Sequence, residues 1–333
     1  MHLLHSTRDE TVNRTHCEVI EAFETTFPHR VRGYYVQGSY ADQSEVTASD
    51  LDLVILFADF HSEADHAAAR QLARRCEDAS GIELDIEIMA EDEAARGVEP
   101  TFELGSILVY GQDVREDLPL MPIEEWAQDR MHSSYWRVAR LFTRPEIITS
   151  PLAYPDSADE FYGYARRMVR LRDGSQVPST RNLIRLTGWA ATARLAYECG
   201  VYVGRKSDCH AAYRAYIGDK WSSLLEDIYT LCRGRWSYLI PDDPTERGQL
   251  RAICARTLGF ENAFLVMYTR YLIAELRGTD AAAEAALRVL MLAPYHEAGV
   301  ITALEDLAQR AGDHLRAAAQ TVLAKQRTPA EGA

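Results

Sequence analysis

Ser49-Asp50-Leu51-Asp52-Leu53-Val54-Ile55 sets two carboxylates two residues apart at the head of an apolar run. Residues two apart on a strand point to the same side, so Asp50 and Asp52 project together while Leu51, Leu53 and Ile55 form the opposite, buried side. Adjacent carboxylates repel, and packing alone gives no reason to place them so. A hard divalent cation gives one: Mg²⁺ takes oxygen ligands and completes its octahedron with water and substrate phosphates.

Upstream, Val31 to Val36 reads as a strand that runs into Gln37-Gly38-Ser39. Glycine there lets the chain turn tightly and approach a ligand. Successive N–H groups with the Ser39 hydroxyl suit a terminal phosphate. Downstream, Ile82, Leu84, Ile86 and Ile88 alternate with Glu83, Asp85 and Glu87, the pattern of a half-buried strand with one acidic face. A neighbouring strand lies about 4.8 Å away, so Asp85 or Glu87 reaches the acids of the 50–57 strand. Three carboxylates permit two metal ions, with Asp85 accepting the proton of an attacking hydroxyl as pyrophosphate leaves in line.

Around these pieces the pattern predicts helices over 9–26 and 64–79 and a fourth strand over 107–110. Residues 1–118 are therefore expected to form a small α/β domain around a mixed sheet. Past Pro119 and Pro122 the pattern turns helical, over 123–142, 158–173, 179–199, 208–233, 247–277, 279–292 and 297–325. Residues 119–327 are expected to form an all-α bundle and 328–333 a frayed tail. Arg166, Arg167, Arg170 and Arg172 read as a solvated helix face paired with acids such as Glu160 and Asp173. His61 and His66 stand five apart, off the spacing of helical zinc ligands.

The first 118 residues hold 25 Asp and Glu against nine Arg and no Lys, whereas the remainder is nearly balanced. Such a front half repels a phosphate backbone and attracts divalent or organic cations. Six scattered cysteines without metal-ligand spacing, a polar N-terminus and no apolar run of about 20 residues lead to the expectation of a cytoplasmic protein with reduced thiols and no membrane partner.

Taken together, Gly38-Ser39, ten residues, Asp50-Leu51-Asp52 and a later acid-bearing strand resemble the signature of the DNA polymerase β-type nucleotidyltransferase superfamily. Within it the chain is most similar to the streptomycin/spectinomycin (aminoglycoside) adenylyltransferases, through Gly38-Ser39-Tyr40-Ala41-Asp42 and through Arg181-Asn182-Leu183 followed by Gly204-Arg205-Lys206. The resemblance implies transfer of AMP from ATP to a hydroxyl of a small acceptor. Asp50, Asp52 and Asp85 would hold Mg²⁺, and Gly38, Ser39, Ser49, Arg205, Lys206 and Tyr229 would meet the nucleotide. It leaves two alternatives open, a macromolecular acceptor (a partner toxin protein or a tRNA end) and a catalytically idle nucleotide-binding module. Two departures bear on the acceptor. Those enzymes carry acids where this chain has Ser179-Thr180, and an arginine roughly where Trp189 stands.

Overall fold

The computed structural model describes residues 2–46, 48–60, 62–171 and 173–327. His61, Arg172 and the expected tail 328–333 lie outside the described residues. The chain divides into two compact units. The first comprises residues 1–126, 168–177 and 200–216, and the second residues 127–167, 178–199 and 217–333. This differs from a linear division at residue 118, because residues 119–126, 168–177 and 200–216 from beyond that point belong to the first unit.

In the first unit, α1 (Glu10–Thr26) is followed by β1 (Val31–Gln37), a 3₁₀ turn (Gly38–Tyr40), β2 (Leu51–Phe57), α2 (Glu63–Ala79) and β3 (Leu84–Ala90). Two one-turn helices, α3 (Glu91–Ala94) and α4 (Pro100–Glu103), lead to β4 (Ile107–Gly111). The strands form one mixed sheet in the order β3-β2-β1-β4, with β2 parallel to β3 and β1 antiparallel to both β2 and β4. α1 starts where the Asp9 carboxylate accepts from Thr11 N, 2.9 Å, and buries Val12, Thr15, His16, Val19, Ile20 and Phe23. That is the three-and-four spacing of one helical face. α2 starts on Ser62, whose hydroxyl accepts from Asp65 N at 3.2 Å.

The sheet is covered on both sides. Leu51, Leu53, Ile55 and Phe57 of β2 pack with α1 and α2, whereas Val54 and Leu56 pack with Tyr35, Val98, Phe102 and Leu118. This double cover does not extend to the acid-bearing positions: Asp52 of β2 is half-buried, and Asp85 and Glu87 of β3 are exposed. The 200–216 segment joins this unit through a close backbone approach: a Cβ on Gly105 would lie 2.2 Å from Gly204 O, so no other residue fits there. Tyr202 donates to Met121 O, 2.6 Å, beside it.

The second unit contains α5 (Ile123–Arg140, entered from the first unit), β5 (Ile148–Thr149), α6 (Arg181–Cys199), α8 (Ser222–Asp227), a π-helix (Ile228–Arg235), α9 (Pro244–Arg277), α10 (Asp280–Leu292), β8 (Tyr295–His296), α11 (Ala298–Arg310) and α12 (Asp313–Arg327). Between β5 and α6 the chain forms a hairpin, β6 (Arg167–Arg170) with β7 (Gln176–Ser179), and α7 (Cys209–Tyr216) precedes α8 within the first unit. α9, capped by Asp243 and opened by Pro244, is the central rod, and α6, α8, α10 and α11 pack on it. Inside, Arg144 donates twice to Glu261 at 2.9 and 2.8 Å, and Tyr164 OH donates to the same carboxylate. The Arg144 and Glu261 side chains are only 3% and 1% exposed, so each charge requires the other.

Four expectations fail here. No helix spans 158–173, because the Asp159 carboxylate accepts from Phe161 N and Gly163 N, both at 3.0 Å, and closes a turn before β6. Arg166 accordingly pairs with Asp156 and Asp159. The stretch 208–233 breaks at Gly218, φ +62°, and 297–325 breaks at Ala311-Gly312. The strand pairs β5–β8 and β6–β7 also depart from an all-α second half.

His16 supplies a test of the first core. It is fully buried, and among the described residues neither ring nitrogen has a hydrogen-bond partner. Burial lowers its pKa to about 4 from 6.5. Below pH 6.5 the unfolded chain takes a proton that the folded state refuses, so stability falls as pH drops from 6.5 toward 4. The full difference is about 3 kcal/mol. The His16→Leu variant is expected to lose less stability than the parent between pH 6.5 and pH 4.5 in urea unfolding. Equal losses would refute this reading.

Candidate active site

The carboxylates gather at the uncovered end of the sheet. β2 and β3 pair with Asp52 opposite Asp85 and Val54 opposite Glu87, and Leu51 N donates to Glu83 O at 2.9 Å where the pairing begins. Asp52 and Asp85 are therefore direct neighbours across two parallel strands. Asp50 stands one residue before β2, on the side that alternation assigns to Asp52.

Glu87 senses this crowding. Its pKa is pushed up to about 7, first by the protein atoms around its carboxyl and then by repulsion from Glu99, Asp85 and Asp52. The side chain nonetheless keeps an exposed surface. Open surface weakens desolvation, so the like-charge repulsion is the firmer of the two causes. Glu99 was not among the sequence candidates. It lies in an irregular stretch before Pro100, where no alternation predicts the direction of a side chain.

Gly38 lies against Asp52. Gln37 is the strand partner of Asp52, and Gly38 then turns with φ +66°. A Cβ there would sit 2.5 Å from Asp52 Oδ2. The left-handed backbone and the close carboxylate both demand glycine. Ser39 follows in the same 3₁₀ turn. Ser49 plays a local part: its N–H donates to Val46 O at 2.8 Å, and its hydroxyl accepts from Val46 N at 2.9 Å, closing the loop that delivers Asp50.

The 3₁₀ turn Lys206–Asp208 packs against the Gly38–Tyr40 turn within the first unit. Ser207 Oγ donates to Asp42 Oδ2 at 2.7 Å, while Asp42 Oδ1 accepts from Ser44 N at 3.1 Å and from its hydroxyl. Asp42 thus ties the chain after Gly38 to the turn bearing Arg205 and Lys206, a link with no local spacing to announce it. Tyr229 belongs to the second unit, where its hydroxyl accepts from Arg233 Nη1 at 2.8 Å.

The two departures noted in the sequence have structural roles in the second unit. Ser179 donates to Arg167 O at 2.7 Å, and Thr180 donates to Tyr238 O through both N–H, 2.8 Å, and Oγ1, 3.0 Å. The Trp189 ring has the guanidinium carbons of Arg130 and Arg137 at 3.8 and 3.3 Å from its centroid. Two such groups cannot share one face at that range, so the indole is clamped between arginines two turns apart on α5.

Among the described residues, no three His, Cys, Asp or Glu side chains form a group that could hold a metal ion by themselves. Mg²⁺ keeps several waters and takes one or two carboxylates together with substrate phosphates, so it does not require a closed protein cage. The facing Asp52 and Asp85, and the turn whose glycine leaves room at Asp52 Oδ2, fit an ion of that kind.

No protein-family model matches the chain, and no curated protein matches it. A structural neighbour is the spectinomycin adenyltransferase AAD(9) from Enterococcus faecialis with ATP and spectinomycin. It is 12% identical, with 74% of this chain and 98% of that chain covered and a TM-score of 0.44. A likeness at that level defines neither fold nor activity.

The Gly38→Ala variant is expected to unfold at lower urea, by about 1–2 kcal/mol for the left-handed backbone alone. Ser39→Ala, one residue on and without that constraint, should change stability far less. Equal midpoints for the two variants would show that the turn is not strained in this way.

Proposed function

We propose that the chain is a nucleotidyltransferase that moves AMP from ATP to a hydroxyl of a small acceptor. The observation that carries this reading is Asp52 facing Asp85 at the open end of the sheet with the Gly38 turn against Asp52. Backbone N–H groups of the Gly38-Ser39 turn and the Ser39 hydroxyl hold the terminal phosphates. Lys206, in the turn fastened to Asp42 through Ser207, adds positive charge, with Arg205 beside it. Asp85 takes the acceptor's hydroxyl proton as its oxygen bonds to the α-phosphorus and the bond to the leaving pyrophosphate breaks. Mg²⁺, which Asp52 and Asp85 would hold together with the phosphates, with Asp50 following on the same side of the strand, would supply charge neutralisation and a lowered acceptor pKa. Tyr229 is retained as a nucleotide contact only as an expectation of the family resemblance.

The acceptor class follows from charge. The carboxylates of Glu87 and Glu99 crowd the same region, and the first 118 residues are strongly acidic, which favours a cationic, aminoglycoside-like hydroxyl compound. A tRNA end would need a basic surface, and Arg166 is already engaged by Asp156 and Asp159.

The test is release of pyrophosphate from labelled ATP with Mg²⁺ and a panel of amino-sugar, protein and tRNA acceptors. Label is expected on an amino-sugar acceptor. Asp85→Asn should lower the rate about 10²–10⁴-fold, and Asp52→Asn should abolish detectable transfer while the protein stays folded. Undiminished transfer by Asp52→Asn would refute the assignment.

A further inference from the structure

In the second unit, α5 carries Gln128, His132 and Tyr135 at steps of four and three, and α9 carries Tyr268, Tyr271 and Glu275 at steps of three and four. Such steps set each row on one side of its helix. Where the rows meet, the Tyr135 and Tyr268 rings stack with centroids 4.5 Å apart and planes 8° from parallel. Tyr271 lies 6.3 Å from Tyr268, and Tyr197 of α6 lies 5.1 Å from Tyr271. Tyr135 and Tyr268 are fully buried, Tyr271 is nearly so, and Tyr197 is 46% exposed. Tyr197, Tyr271 and Tyr268 thus form a line of ring contacts from the surface into the core.

The inner end of this line has a base. Tyr268 OH lies 2.9 Å from His132 Nδ1, its one hydrogen-bond partner among the described residues. His132 Nε2 lies 3.6 Å from Glu275 Oε2, which also accepts from Gln128 Nε2 at 2.7 Å. Burial alone would raise the Glu275 pKa, but donation from His132, Gln128 and Tyr271 brings it below its ordinary value. The charged carboxylate holds the imidazole N–H on the Nε2 side, which leaves Nδ1 to accept from Tyr268. Burial also pushes the Tyr268 pKa well above its ordinary value, so this phenol gives no proton to water. No dissolved substrate reaches a ring so enclosed. An electron does cross between touching rings, and the proton has only one hydrogen bond to travel.

We propose that Tyr268 is a redox-active tyrosine served by this line of rings. A one-electron oxidant at the surface, a diffusing radical or a high-valent metal complex, takes an electron from Tyr197 and is itself reduced. The vacancy passes through Tyr271 to Tyr268. As Tyr268 loses its electron, its hydroxyl proton moves to His132 Nδ1, leaving a neutral phenoxyl radical beside an imidazolium that Glu275 balances. A one-electron donor such as ascorbate reverses the step, and the proton returns from Nδ1 to the phenol oxygen. Other buried tyrosines are less well equipped. Tyr135 donates to the carbonyl of Ala293, which takes no proton, and Tyr34 and Tyr164 donate to carboxylates, weaker bases than imidazole. This activity is independent of the reading of Asp52 and Asp85.

The full chain is photo-oxidised with tris(bipyridyl)ruthenium(II) and a sacrificial electron acceptor, and radicals are followed by transient absorption and electron paramagnetic resonance. The parent is expected to hold a persistent neutral tyrosyl radical coupled to an imidazole nitrogen. Tyr268→Phe should remove that signal. His132→Gln should lower its yield about tenfold and erase the nitrogen coupling, because an amide accepts a hydrogen bond but not the proton. Since both positions lie in the core, the exposed substitution Tyr197→Phe supplies a third variant. It should slow formation of the same radical about tenfold while melting stays at the parent value. No persistent radical in the parent, an equal yield in Tyr268→Phe, an unchanged signal in His132→Gln, or an unchanged rate in Tyr197→Phe would each overturn the proposal and leave the rings as core packing.

Discussion

Two negative charges on facing strand positions, Asp52 and Asp85, are the constraint around which the first unit is arranged. Their repulsion would drive the strands apart or out of register if packing did not oppose it. Packing does oppose it, because β2 is buried on both faces beyond Asp52. A slip of one residue would turn Leu51, Leu53 and Ile55 to the other side of the sheet and carry Asp52 inward, at a cost of several buried side chains. The hydrophobic core thereby holds a juxtaposition that electrostatics alone would reject. A bound cation would relieve such repulsion.

The surroundings of that pair follow from how close the backbone can come. Gly38 leaves open the space next to Asp52 Oδ2 that a side chain would fill. Asp42 then gathers the end of the same turn and, through Ser207, the turn that carries Lys206. The close approach of Gly204 to Gly105 sets the distance at which this remote segment docks. Three short-range devices, a glycine turn, an Asp hub and a glycine–glycine approach, thus deliver groups separated by more than 160 positions to one end of a sheet.

The helical unit follows a different logic. Its buried Arg144 meets Glu261 through both terminal nitrogens and Tyr164 donates to the same carboxylate, while Arg144 Nε has no hydrogen-bond partner among the described residues. A buried ion pair of this kind adds little net stability over an apolar core, but losing either partner strands a charge. Trp189, gripped by Arg130 and Arg137, fastens α6 to α5 by the same preference for paired contacts. Asn182 and Gln326 likewise keep buried polar atoms without a hydrogen-bond partner among the described residues.

Much of the first unit was legible in the sequence, because strands with a period of two and helices with a period of 3.6 announce their faces locally. β1, β2, β3, β4, α1 and α2 lie within one or two residues of the expected bounds, and the side of β2 that buries Leu51, Leu53 and Ile55 follows from alternation alone. The sequence by itself also brought out Gly38, Asp50, Asp52 and Asp85 as a group, since their spacing has no packing purpose. It misread 158–173, where the Asp159 carboxylate captures backbone N–H groups that a helix would have used. Only the tertiary structure decided the register that sets Asp85 rather than Glu87 opposite Asp52, the Glu99 crowding, the Asp42–Ser207 link and the membership of Gly200–Tyr216 in the first unit. Each of these joins residues far apart in the chain, and local periodicity carries no information about which distant surfaces meet.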